Sequence, residues 1–228
     1  MISVLLPAYD EARTIGPLVR ACLAHTPQPC EVLVVDDGSS DETSSLATAA
    51  GARVVRLPEN RGKGVAVREG IAAARGDVVV MLDADGQDDP AEIPDLLAAL
   101  TDDVDMVVGS RFRGHFGEGS ITPLNYAGNR FLTFVLNVLF TTRMTDTLAG
   151  FKAVRTSRLR GLRLEARRYD IEVELLVGLL RAGARVVEIP VHRAARVHGS
   201  SRLDSFRDGT RVLGRILRLR LMGGVTHS

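Results

Sequence analysis

Apolar and polar positions along residues 1–110 follow two periodicities that take turns. Short stretches rich in apolar residues, Ile2–Leu6, Glu31–Val35, Arg53–Leu57, Val78–Leu82 and Asp105–Gly109, have the length and β-branched content of strands. Between them lie helical patterns. Ala12–His25 spaces Ile15, Leu18, Val19 and Cys22 along one face, and Ser39–Ala50 runs from Ser/Asp capping chemistry to Gly51. Gly64–Ala74 stops at Arg75-Gly76, and Pro90–Leu100 opens on a proline in the favoured first turn. Strands alternating with helices predict an α/β fold with a mostly parallel sheet flanked by helices. Wholly apolar segments such as VLVV and VVVML predict strands covered on both faces. In such sheets ligands bind beyond the carboxyl ends of the strands. The loops of interest are therefore Pro7–Glu11, Asp36–Ser40, Asp83–Asp89 and Ser110–Gly119.

Past residue 110 the pattern loosens. RFRGHFGEGSIT (111–122) is Gly-rich and basic and predicts a mobile loop, and Leu124–Phe140 predicts an apolar helix. Thr145–Val154 contains a strand, Asp170–Arg181 a helix and Arg185–Pro190 another strand. Val191–Leu203 predicts a polar basic loop, and Asp204–Leu221 a final helix. With no repeat, linker or low-complexity segment, residues 1–228 are expected to form one domain.

Composition narrows the class. A chain of 228 residues, 45% hydrophobic and 25% charged, can build a core, which excludes disordered, collagen-like and coiled-coil readings. Cys22 and Cys30 form neither a CxxC nor a disulfide framework and are expected to be reduced thiols. Met1 leads straight into ISVLLPAY without a basic leader, so no signal peptide is expected. The longest apolar run, FLTFVLNVLF (131–140), falls short of the ~18 residues that span a bilayer. The net charge of +1 hides an asymmetry: residues 1–110 carry 8 Lys/Arg against 19 Asp/Glu, residues 111–180 carry 11 against 6, and residues 181–228 carry 10 against 3. The split suggests an acidic half suited to a cation ahead of a basic half suited to anions; the bland alternative is chance variation along the chain. The acidic half and a 4% aromatic content disfavour a nucleic-acid binder.

Acid marks the predicted strand ends: Asp10 and Glu11, Asp36 and Asp37, Asp83 and Asp85. D-x-D is a weak motif alone, since seventeen aspartates produce roughly one match by chance. Asp103-Val104-Asp105 enters a strand and reads as a solvated turn. Asp83-Ala84-Asp85 instead ends a buried strand and runs into Gly86-Gln87 before the Pro90 helix. Hard oxygens spaced this way can share one Mg²⁺ or Mn²⁺ and the diphosphate it carries; the bland alternative is a pair of loop carboxylates. Asn60-Arg61-Gly62-Lys63-Gly64 is neither a P-loop nor a Rossmann fingerprint. It reads either as a helix-start turn or as an anion cradle with Lys63, one of only two lysines (with Lys152) beside 27 arginines. The histidines, His25, His115, His192, His198 and His227, show no ligand spacing for zinc.

ISVLLPAYDE, LVVDDGSSDET, NRGKGVAVREGIAAARGDVVVMLDADGQDDP and VVGSRF, followed by DTLAGFKAVR, IEVELL and VEIPVHRAARVHGSSRL, resemble in order the family 2 glycosyltransferases. The likeness is to the dolichyl- and polyprenyl-phosphate sugar synthases and spans about residues 1–205. It implies a GT-A (nucleotide-diphospho-sugar transferase) fold and inverting transfer of a hexose from a UDP- or GDP-sugar. Residues 1–110 would form the nucleotide-sugar-binding half and residues 111–228 the acceptor-binding half. By position, Pro7, Ala8, Tyr9 and Glu11 would line the base and ribose pocket, Asp37 would hydrogen-bond the base, and Ala66 would pack near the nucleoside; Lys63 is counted among the nucleotide-sugar-binding residues. Asp83 would touch ribose or sugar, and Asp83, Asp85 and Gln87 form the metal set for Mg²⁺ or Mn²⁺. Catalysis would fall to Asp85 with Arg111, Arg196 and Arg202, the arginines meeting phosphates of donor and acceptor. Arg202 stands where family members often have Lys, and this sequence contains none of the C-terminal transmembrane helices that many members carry.

A hydroxyl acceptor needs a general base, for which Asp88, Asp89 and Asp146 are candidates; each can equally be a cap, loop or core residue. A polyprenyl phosphate needs none, its second pKa being about 6, and the basic loop 193–202 suits it. The alternatives are a soluble transferase acting on sugar or natural-product hydroxyls and a non-catalytic nucleotide-sugar-binding module. In the final helix Arg207, Arg211, Arg215 and Arg218 share a face, away from Leu213, Ile216, Leu217 and Leu221. Such a helix rests on an anionic bilayer or packs on the domain with a solvated arginine face. Helix 124–140 is expected mainly to be core, with an interface role or dimer contact as alternatives. A cytoplasmic protein is expected, peripheral on the inner membrane face under the bilayer reading.

Overall fold

The computed structural model describes residues 1–195 and 205–222. Its strands are β1 (Ile2–Ala8), β2 (Cys30–Asp36), β3 (Arg53–Arg56), β4 (Val78–Met81), β5 (Met106–Phe116), β6 (Lys152–Arg155) and β7 (Val186–Arg193). They form one sheet in the order β3-β2-β1-β4-β6-β5-β7. β1 pairs in parallel with β2 and β4, β2 with β3, and β5 with β7, while β6 runs antiparallel between β4 and β5. The expected mostly parallel sheet is thus present, with one reversed strand. The helices are α1 (Ala12–His25), α2 (Thr43–Ala49), α3 (Lys63–Ala73), α4 (Ile93–Ala99), α5 (Pro123–Phe140), α6 (Thr156–Leu159), α7 (Ile171–Arg181) and α8 (Ser205–Met222). Pro90–Glu92 forms a 3₁₀ turn before α4, its first turn capped by Asp89, whose Oδ1 accepts from Ala91 N at 2.9 Å.

Alternation along the central strands divides the core into two layers. Leu5, Leu33 and Val35 point to the layer closed by Val65 and Ile71 of α3 and by α7. Val4, Leu6, Val32 and Val34 point to the other, against Ile15 and Val19 of α1 and Ile93 and Leu96 of α4. Each such side chain removed from water contributes about 1.5–3 kcal/mol, so a sheet apolar on both faces is held without help from its polar ends. Those ends are free to carry chemistry.

Four expectations are corrected. Residues 111–116 are strand, not loop: β5 continues to Phe116 beside an equally prolonged β7, with His115 opposite His192 and Phe116 opposite Arg193 after a register shift. Backbone pairing holds this stretch while Arg113, Gly114 and His115 stay exposed, so apolar patterning gives no sign of it. The loop foreseen from Val191 accordingly begins after Arg193, and its residues 196–204 lie outside the described ones. Third, α5 is not mainly core. Only Leu132, Thr133 and Leu136 are buried, whereas Leu124, Phe131, Phe134 (64% exposed) and Val138 face outward. Finally, α8 packs on α5 and α7 through Val212 and Ile216, but its arginine face is not simply solvated. Arg215 reaches Asp170 at 3.0 Å and Glu174 at 3.1 Å, and Arg218 reaches Glu165 at 3.1 Å. Phe206, Leu217 and Leu221 (85%) are left outside. Among the described residues no helix is long and apolar enough to cross a membrane.

Candidate functional site

The carboxyl ends of β1, β2 and β4 open onto a cavity of about 360 Å³. Pro7, Ala8, Tyr9, Glu11, Asp37, Lys63, Ala66, Asp83 and Asp85 all line it, so the residues expected around the nucleotide and sugar meet in one space, whereas Arg111 does not line it. Its walls are completed by Asn60, Gly62, Arg168 and Tyr169. Local geometry explains how the loops hold their shape. Asp10 takes a left-handed conformation (φ 50°); its N–H donates to Ser39 Oγ at 2.9 Å, and its Oδ1 accepts from Ser40 N at 2.7 Å. The loop after β1 is thereby tied to the loop after β2. Asp37 accepts from the backbone N–H groups of Arg61 and Gly62, both at 2.8 Å. Gly62 sits at φ +98°, and a Cβ there would come within 2.2 Å of Arg167 O, so glycine is required. Burial raises the Asp37 pKa despite the two opposing N–H groups.

The chain's two lysines meet in this region. Lys63 Nζ contacts Asp83 Oδ1 at 2.5 Å and Glu172 Oε1 at 2.8 Å, and Glu172 Oε2 accepts from Lys152. The result is a buried row, Lys152–Glu172–Lys63–Asp83, running from β6 through α7 to the end of β4. Burial works to raise the Asp83 pKa, but the Lys63 charge prevails and brings it down to about 2. Burial likewise opposes the Lys63 ammonium, and Asp83 with Glu172 more than offsets this, holding it above the ordinary lysine range. Lys63 is thus part of a charge row rather than only a helix-start residue. A Cβ on Gly150 would stand 2.9 Å from Asp83 Oδ2, so the absence of a side chain at this position of the DTLAGFK segment leaves room for the carboxylate.

Beyond Asp83 the oxygens of Asp85, Gln87 and Asp88 converge. Gln87 N donates to Asp85 Oδ1 at 3.1 Å, and Gln87 Nε2 donates to Ala194 O at 3.0 Å, which orients the amide oxygen. Arg193 donates to Gln87 Oε1 at 2.8 Å and to Asp88 Oδ1 at 2.9 Å. Asp88 Oδ2 is buried with no hydrogen-bond partner. Burial, only partly countered by Arg193, lifts the Asp88 pKa to about 6. Among the described residues no group of three or more His, Cys, Asp or Glu is arranged to hold a metal unaided. Hard oxygens with an orphaned carboxylate oxygen beside them still fit Mg²⁺ or Mn²⁺, which commonly take one or two carboxylates and complete their shell with substrate phosphates.

A second groove, about 220 Å³, adjoins the first and shares Lys63, Asp83, Asp85 and Tyr169 with it. Gln87, Arg111 and Arg193 lie at its polar end, and Leu124, Leu132, Leu148, Phe206 and Val212 supply apolar walls from α5, α8 and the loop before β6. Arg111 is clamped by Asp146 through two bonds of 2.7 Å, and Asp146 N donates to Glu188 Oε1 at 2.9 Å. Burial would raise the Asp146 pKa, but Arg111 holds it down. That pairing and the cap made by Asp89 remove both from the set of candidate bases; Asp88 lines neither cavity. Arg196 and Arg202, expected at the phosphates, fall outside the described residues. Tyr169, Arg168 and Glu172 line the cavities and Lys152 backs them through Glu172, none of them singled out by the sequence; Arg193, also lining the groove, is foreseen only as part of the basic loop 193–202. The one available sign was the scarcity of lysine: both lysines turn out to share Glu172.

Strand-end carboxylates around a cavity that continues into a half-apolar groove define an α/β protein with two adjoining ligand spaces. The family model described as glycosyl transferase family 2 matches residues 3–167, and the chain belongs to that family of glycosyltransferases. It is 33% identical over 210 residues to glycosyltransferase AglJ of Haloferax volcanii, covering 91% of this chain and 68% of that protein. It is 31% identical over 219 residues to the undecaprenyl-phosphate mannosyltransferase of Micrococcus luteus, covering 89% and 87%. Among solved structures, glucosyl-3-phosphoglycerate synthase from Mycobacterium tuberculosis in complex with Mn²⁺ and UDP-glucose superposes with a TM-score of 0.75 at 26% identity, covering 100% of this chain and 80% of the other. The fold is GT-A, as the resemblance implied.

Proposed function

We propose that the chain moves a hexose from a UDP- or GDP-sugar to a polyprenyl phosphate by a single inverting displacement. The observation that carries this reading is the half-apolar groove, whose polar end opens into the carboxylate-lined cavity. The cavity suits a nucleotide sugar, with Pro7, Ala8, Tyr9, Glu11, Asp37 and Ala66 around the nucleoside and Asp83 and Lys63 at the sugar side. Asp85 and Gln87 would hold Mg²⁺ or Mn²⁺, an ion that neutralises charge on a departing diphosphate when bound. The M. tuberculosis relative captured with Mn²⁺ and UDP-glucose supports both assignments. Arg111, Arg196 and Arg202 are assigned to phosphates.

The groove suits a lipid whose head is an anion. Arginines meet the phosphate and leucines the first prenyl units, and a phosphate dianion attacks without a base. Asp89 and Asp146 are otherwise engaged, which agrees with that economy. Leu124 and Phe206 line the groove and belong to the exposed apolar surfaces of α5 and α8, so the lipid's tail can leave toward a membrane. The protein would then work peripherally on the cytoplasmic face of a bilayer. The M. luteus relative's name points to the same acceptor class. A hydroxyl acceptor is the second reading, favoured by the solved synthase in complex with phosphoglyceric acid.

Purified protein offered UDP- and GDP-sugars with Mn²⁺, and polyprenyl phosphate or phosphoglyceric acid, separates the two. Sugar appearing in the organic-phase lipid phosphate is expected; transfer only to the water-soluble hydroxyl acceptor overturns the lipid reading.

A further inference from the structure

Arg193 stands on the oxygens that a divalent ion would need. Its Nη2 donates to Gln87 Oε1 at 2.8 Å and lies 3.8 Å from Asp85 Oδ2, while its Nη1 donates to Asp88 Oδ1 at 2.9 Å. The side chain is 11% exposed, and its anchor Asp88 1%. Backbone contacts hold the two segments in place: Asp88 and Arg193 form an antiparallel bridge, and Ala194 N donates to Gln87 O at 2.9 Å. The guanidinium also lines the half-apolar groove beside Arg111.

Chemistry makes this arrangement exclusive. An amide oxygen engaged by a guanidinium N–H is a poor ligand to a cation approaching from the same side, and two cations about 4 Å apart repel strongly where water is scarce. Arginine has more donors than Asp88 alone can use, and its fork is suited to phosphate oxygens. Asp88 is well placed to keep the guanidinium at the site if Nη2 turns away.

We infer that Arg193 and the divalent ion are alternative partners of Gln87 Oε1 and Asp85. Ion binding turns Nη2 from Gln87 into the groove, where the guanidinium, still seated on Asp88, takes a phosphate oxygen of the bound reactants. Metal loading and delivery of an arginine to the anionic substrate are then one event. No covalent bond changes in this exchange. The inference rests on the reading of Asp85 and Gln87 as ligands, and its test keeps the two apart.

The test is Mn²⁺ binding without nucleotide, followed by the electron paramagnetic resonance of free Mn²⁺, on wild type, Arg193→Ala and Asp85→Ala. Arg193→Ala is expected to bind Mn²⁺ about three- to tenfold more tightly than wild type, while its KM for the phosphate acceptor rises about tenfold or more. Gaining the ion while losing the acceptor is a combination that simple structural damage does not produce. If Arg193→Ala unfolds because Asp88 is left alone, the double variant Arg193→Ala/Asp88→Asn is compared with Asp88→Asn, and the same tightening is expected. Unchanged or weaker Mn²⁺ binding in the folded arginine variants overturns the exchange, and leaves the metal reading standing if Asp85→Ala loses the ion. Binding by Asp85→Ala equal to wild type overturns the metal reading itself.

Discussion

The carboxylate-lined cavity and the half-apolar groove share four residues, yet they are built by different means. The cavity is made by strand ends. Pro7 and Ala8, Asp37, and Asp83 to Asp85 stand where β1, β2 and β4 stop, and short backbone bonds such as Arg61 N to Asp37 Oδ1 fix the loops. The groove is made by helices and long-range ion pairs. Arg111 is held from Asp146, Arg193 from Asp88, and Lys63 from Glu172. Sheet topology therefore places the proposed donor site almost without further information, whereas the proposed acceptor site depends on which distant charges find one another.

The largest expected effect strikes what the two spaces share. Asp85→Ala should lower sugar transfer by about a thousandfold or more under saturating Mn²⁺, measured as product per time with UDP- or GDP-sugar, because stabilisation of the departing charge is lost. Asp103→Ala, in the other D-x-D, should leave the rate unchanged; it lies on the surface and pairs with Arg185. Next comes the buried row. Lys152 is 2% exposed, and Lys152→Met leaves Glu172 to share Lys63 alone; chemical unfolding should show a loss of about 3–5 kcal/mol. A loss below about 1 kcal/mol would show that Lys63 alone satisfies Glu172.

A smaller effect is one of pH. The folded Asp83 pKa of about 2 lies below the ordinary 3.8, so its pairing with Lys63 stabilises the protein above about pH 4 and fades as pH falls toward 2. Comparing urea unfolding of wild type and Lys63→Met between pH 6 and pH 2 should show a difference of about 2 kcal/mol at the upper end that shrinks on acidification. A difference independent of pH would detach Lys63 from Asp83. The smallest effect on stability belongs to the outer face of α5: Phe134→Ser should change unfolding free energy by no more than about 0.5 kcal/mol, yet reduce co-sedimentation with anionic vesicles. Equal sedimentation of both proteins would remove α5 from the proposed membrane contact.

The same contrast explains what could be read from the residues. Continuous apolar runs such as VLVV and VVVML, the helical spacing of Ile15 to Cys22, and acids at strand ends point to the first half of the fold and to the carboxylates around the cavity, whereas Pro7, Ala8, Tyr9 and Ala66 come from the family resemblance. Such signals are local, and parallel pairing then brings the strand ends together. Residues 111–116 carry no apolar signal of a strand because backbone pairing with β7 holds them: Arg113, Gly114 and His115 are exposed, and Arg111 is buried through its pairing with Asp146. Phe131, Phe134 and Val138 read as core in the sequence but lie exposed in the fold, because apolarity alone says nothing of what faces a residue. Within the basic loop 193–202 nothing in the sequence singles out Arg193; its pairing with Asp88 and Gln87, more than 100 residues away, becomes visible only in the fold.

If, as proposed, a divalent ion at Asp85 joins the protein to the diphosphate of an activated sugar, thermal unfolding with nucleotides will register the ion and the nucleotide as one ligand. Wild type should gain several degrees in Tm with UDP or GDP and Mn²⁺ together, far more than the sum of the gains from either alone, and Asp85→Ala should lose that synergy. A rise that is the same without Mn²⁺, or that survives in Asp85→Ala, would contradict it.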